Sequence, residues 1–191
     1  MATYVYAPAG TGANPNSRWD ATCGSGSRYC SGSCHGTNAG ILPIDIPAAA
    51  SSWIDFWCDP GVLSIRTISQ PGNGCGTSPG SPWDDAVLLE MWSGPKVGSN
   101  PSGSLLGSVH FAHLATPFIG TLDTGWDANG ILRGWSQWAV VPPVGTCSCP
   151  TCYTGPHVHM APVSSYTCHN TSLACSSSPI VKGSTWIYCF S

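Results

Sequence analysis

The stretch TGPHVHMAP, residues 154 to 162, sets two histidines one residue apart in a chain that has six histidines and only 8% charged residues. On a β-strand, side chains two apart leave the same face roughly 7 Å from each other. His157 and His159 would therefore look into one cleft, one imidazole placed to hold a metal and the other to reach a ligand beside it, with Val158 and Met160 turned into the core. Two further sets of donors accompany them. SVHFAHLA places His110 and His113 near the end of an apolar run, and His35 precedes Asp45, which lies in LPIDIPA. An Asp between two Ile is costly to bury unless a cation or hydrogen-bond donors compensate it. Zinc takes three or four N, O or S ligands, and a catalytic site keeps one position open for water. The competing reading is a pair of surface histidines on a half-exposed strand.

Something must hold these residues in place. Runs of β-branched, aromatic and alternating apolar residues recur at 3–7, 53–57, 61–68, 86–92, 107–114, 138–141, 157–163 and 185–190, separated by Gly, Pro, Ser and Asn clusters. Short strands punctuated by turn residues predict an all-β domain, mainly antiparallel, as a sheet or sandwich. No stretch of helical length shows a clean helical period. Long connections are expected at 10–40, 69–85 and 120–137. Trp126, Trp135 and Trp138 near the last of these read as core residues or as a wall for a peptide or glycan.

Composition narrows the choices. The 191 residues are enough for a single domain. Within it we distinguish a Cys/Gly-rich arm (1–34), a β core (35–163) and a Cys-rich C-terminal extension (164–191). Six scattered Lys and Arg make no basic patch, which argues against nucleic-acid binding. No apolar run approaches the ~18 residues of a membrane span. Eleven cysteines predict disulfide-stapled loops in an oxidising, extracellular setting, with one thiol over if five bridges form. A structural zinc held by Cys149 and Cys152 with Cys30 and Cys34 is the alternative. A secretory leader is not visible at the start, so a secreted protein is expected here as a mature form or by another export route. NTS at 170–172 fits a glycosylation acceptor.

Taken in order, His35 with IDIPA, then HFAHLA, then TGPHVHM resemble the motifs of the lysostaphin-type (LytM-like) zinc metalloendopeptidases, which cut peptide bonds in bacterial peptidoglycan. The resemblance covers about residues 35–163, and TGPHVHM is its most specific part. It implies a zinc cleft in which His35, Asp45 and His159 bind one Zn²⁺ while His113 and His157 act as the catalytic histidines. A bound zinc lowers the pKa of water and polarises the scissile carbonyl. Nine residues separate His35 from Asp45 where the common family spacing has three; Asp55 and Asp59 are fallback ligands, Asn38 sits at the short spacing, and His110 is an alternative to His113.

The resulting expectation is a secreted zinc endopeptidase acting on peptidoglycan cross-links or Gly-rich peptides. Two other readings stand beside it. One is a structural or binding protein, a part of an extracellular fibre or virion, that self-assembles through the unpaired cysteine. The other is a zinc-binding module without turnover. Ser78 in GTSPG lacks the strand and helix that a nucleophile elbow needs, PWDDA reads as a turn before a strand, and His169 reads as a solvated loop residue.

Overall fold

The structure is a computed structural model and describes residues 1–8, 44–70, 85–141, 157–163, 168–170 and 180–191. These residues form strands β1 (Thr3–Tyr6), β2 (Ile44–Pro47), β3 (Trp53–Cys58), β4 (Ser64–Ser69), β5 (Asp85–Val97) and β6 (Asn100–Leu114). They continue with β7 (Gly120–Asp123), β8 (Gly125–Trp126), β9 (Arg133–Val140), β10 (His157–Pro162), β11 (Cys168–His169) and β12 (Trp186–Phe190). No helix occurs among them, so none is present to cross a membrane. All strand pairs are antiparallel, in two six-stranded sheets ordered β11-β12-β1-β3-β9-β8 and β2-β10-β6-β5-β4-β7. The all-β antiparallel architecture read from the sequence is the one observed.

Period-two alternation explains how the sheets pack. Ile44 and Ile46 of β2, Val87 and Leu89 of β5, Val109 and Phe111 of β6, and Val158 and Met160 of β10 are fully buried. The other sheet answers with Val5, Ile54, Phe56, Trp138, Tyr188 and Phe190 in the same buried cluster. Phe111 is the hinge pin of this interface. Its ring meets Trp138 edge-on at 5.2 Å and Phe56 at 6.3 Å, both from the opposing sheet. The Tyr188 hydroxyl also crosses between the sheets and donates to the Met160 carbonyl at 3.2 Å.

Some elements depart from expectation. Residues 120–137 were expected as a long loop, but they contain β7, β8 and the start of β9. Both short strands lie at sheet edges, where one neighbour suffices and little apolar alternation is required. The two other long connections fall mostly outside the described residues. β2 and β11 are likewise strands too short to stand out by pattern. His169, expected in a loop, is half-buried on β11, and its pKa is lowered by burial. The three tryptophans divide. Trp138 is core, Trp135 packs on the core and against Phe118 at 4.6 Å, and Trp126 is 53% exposed beneath the Arg133 guanidinium.

Cys168 and Cys189 form a disulfide that ties β11 to β12. A disulfide is compatible with an extracellular location. Cys58 is a free thiol, wholly buried, and donates to the Arg133 carbonyl at 3.1 Å. Burial also pushes its pKa well up. Cys30, Cys34, Cys149 and Cys152, the alternative zinc set, lie outside the described residues.

Because Phe111 joins the two sheets, Phe111→Ala is expected to lower unfolding stability by about 3–5 kcal/mol. Denaturant titration followed by tryptophan fluorescence checks this; a loss below about 1 kcal/mol would show that the two sheets do not share this contact.

Candidate functional site

Strand β10 sits between β2 and β6, and its register sets the site. His159 is opposite Asp45 on one side and Ala112 on the other; His157 is opposite Pro47, and Ala161 is opposite His110. Val158 and Met160 are locked into the core, so His157 and His159 belong to the outer face of the second sheet. Asp45 lies between Ile44 and Ile46, both fully buried, which fixes its place in that alternation. Seen from its register, the Asp embedded between two Ile is the partner of the second histidine of the H-x-H pair.

His110 and His113 are three apart, and a regular strand would send them to opposite faces. A bulge in β6 removes the conflict. Between the pairs Asp85↔Leu114 and Val87↔Phe111 the register shifts, with one more residue on β6 than on β5. His113 takes up the distortion with φ of 59°, in the left-handed region that non-glycine residues seldom occupy. The His113 ring consequently lies 4.8 Å from that of His157 and 6.0 Å from that of His159, edge-on to both. His113 and His157 are both buried, at 8% and 2% exposure, while His159 is half-exposed. The structure therefore gathers His113, His157 and His159, with Asp45 in register beside them. His35 lies outside the described residues, as do Asn38 and Ser78.

His110 joins the group electrostatically. Burial first, then His159 and His113, push its pKa down from 6.5 to about 4. Sequence reasoning treated His110 only as a substitute for His113; the bulge allows both to serve the same face. The signal available beforehand was the HFAH spacing itself, which fits one face only if the strand is interrupted.

The fallback ligands are committed elsewhere. Asp55 and Asp59 belong to the first sheet and its margin. The Asp55 carboxylate accepts the Gln137 N–H at 2.9 Å and pairs with Lys182 at 2.9 Å. Asp59 accepts the Tyr4 N–H at 2.8 Å and the Tyr6 hydroxyl at 3.3 Å. Glu90 is tied to Arg66 at 2.7 Å. Each carboxylate has a structural task.

Imidazoles with a carboxylate are the donor types that suit zinc. Among the described residues no three His, Cys, Asp or Glu already converge on one point as a finished metal site. Asp45 is placed by its register opposite His159. Compared with protein-family models, with curated proteins and with solved structures, the chain matches none.

The His110 environment has a pH signature. An unfolded chain takes a proton on this imidazole near 6.5, whereas the folded one resists until about 4, so stability falls as pH drops through that window. A displacement of this size corresponds to roughly 3 kcal/mol in the metal-free protein. Denaturation of chelator-treated protein between these pH values should show this loss and should show less of it in His110→Gln. An equal slope in both proteins would assign the acid sensitivity to other groups.

Proposed function

We propose that this chain is a secreted zinc-dependent endopeptidase that cleaves peptide bonds, with peptidoglycan cross-links or Gly-rich peptides as its substrate class. The observation that carries the reading is the bulged His113, whose strained backbone aims a buried imidazole at His157 and His159. Backbone strain of this kind persists where the surrounding structure enforces it, and it concentrates at functional sites. The sequence motifs that resemble the lysostaphin-type family point to the same residues. His159 and Asp45, register partners across β10 and β2, are the donors this reading assigns to zinc, and the family resemblance gives the third place to His35. When bound, zinc supplies Lewis acidity for activating water and polarising a carbonyl.

The chain's own residues do the rest. His157 and His113 lie beside His159, the most accessible of the three, so a peptide that reaches His159 would bring its scissile bond next to two imidazoles. One accepts the proton of the attacking water, and the other donates a hydrogen bond to the carbonyl oxygen as charge develops there. Their burial limits competing water and strengthens both interactions.

Self-assembly through an unpaired cysteine is the weaker reading. Among the described residues, Cys168 and Cys189 are bridged and the Cys58 thiol is enclosed in the core, so none of the three offers an exposed thiol.

Digestion of purified peptidoglycan and of oligoglycine-containing peptides, followed by mass spectrometry of the new termini, tests the proposal. Cleavage should stop with chelator and return with zinc. His157→Ala and His113→Asn are expected to lower kcat/KM by at least about 100-fold while zinc stays bound. Asn is chosen at 113 because it tolerates the left-handed backbone. Cleavage indifferent to chelator, or unchanged in both variants, would refute the peptidase reading.

A further inference from the structure

His110 is left without a task by the chemistry above, yet its surroundings are unusual. Its Nε2 is enclosed and meets no hydrogen-bond partner; among the described residues only Trp138 Nε1 is another buried side-chain nitrogen or oxygen in that state. Buried polar atoms are almost always partnered, and an exception calls for an explanation, of which a bound ion is one. The indole of Trp138 has only an N–H to offer, whereas an imidazole nitrogen can also present a lone pair to a metal.

Position supplies the second argument. His159 pairs with Ala112, and His110 pairs with Ala161, so the two histidines occupy diagonal corners of a four-residue patch on β6 and β10. Diagonal cross-strand neighbours lie within reach of long side chains. The other two corners are alanines. On the far side of β10, Asp45 is the register partner of His159. His110 and His159 are thus diagonal neighbours on β6 and β10, with Asp45 in register with His159 on β2.

We propose that His110 is a metal ligand of this chain, forming with His159 and Asp45 a three-strand donor set in which it fills the place that the family resemblance gives to His35. This rests on the zinc reading of the site. It also accounts for the sequence departure noted above: a His nine residues removed from the Asp is not needed as a ligand if β6 supplies one. His113 keeps its separate place beside His157, since the bulge lets both histidines of HFAH serve one face with different roles.

Zinc affinity tests the inference, measured with Zn²⁺ alone in competition with a chromophoric chelator on wild type, His110→Ala, His35→Ala and His159→Ala. Loss of a ligand is expected to weaken binding at least about 100-fold in His110→Ala and His159→Ala, whereas His35→Ala should stay within about threefold of wild type. The Co²⁺-substituted protein gives a readout independent of turnover: its visible d–d bands should change in His110→Ala and persist in His35→Ala. Thermal unfolding in chelator controls for folding, because removing an unpartnered imidazole should leave the metal-free protein at least as stable as wild type. Wild-type affinity and spectrum in His110→Ala would overturn the assignment while leaving the zinc reading intact. A wild type that binds no zinc would overturn the zinc reading and this inference with it.

Discussion

Val158 and Met160 are buried between the two sheets, and side chains on a strand alternate, so burying these two forces His157 and His159 outward. A slip of one residue in β10 would put both histidines into the apolar core and both apolar residues on the surface. The hydrophobic effect therefore sets the register that positions these imidazoles. The same alternation on β2 buries Ile44 and Ile46 on either side of position 45. Because β10 is paired on both edges, to β2 and to β6, its register is held from both sides.

Against this regular background the bulge at His113 is the one place where the site departs from strand geometry. A regular β6 would carry either His110 or His113 on the outer face, never both. The inserted residue and the left-handed backbone at His113 bring a third imidazole to within 4.8 Å of His157. Such a conformation is disfavoured in isolation, and it survives because Leu114 and Ala115 on one side and Phe111 on the other are anchored in the core. The buried, unpartnered Nε2 of His110 is a second local cost on the same strand. Two unfavourable features, three residues apart and facing the same patch, fit a surface shaped for a ligand better than one shaped for stability alone.

Much of this was legible in the sequence. The period-two pattern of HVHM placed Val158 and Met160 in the core, where both are fully buried, and the β-branched runs located the long strands. What the pattern could not supply was the short strands β2, β7, β8 and β11, which lean on a neighbour and need little alternation of their own. It also could not supply the bulge, since whether HFAH continues straight or kinks depends on the register with β5. The lone Asp of LPIDIPA was visible as an anomaly, but its partner is a matter of tertiary pairing. Asp55 and Asp59 looked equally available as sequence, and only the structure shows them occupied by Lys182, Gln137, Tyr4 and Tyr6.

The central claim is that the outer face where β2, β10 and β6 meet holds a metal ion. Crystals of protein purified without chelator, measured on both sides of the zinc absorption edge, test it most directly. An anomalous peak about 2.0–2.2 Å from a His159 ring nitrogen and an Asp45 carboxylate oxygen is the result expected. No peak on this face after zinc supplementation, or a peak held by cysteines elsewhere, would contradict it.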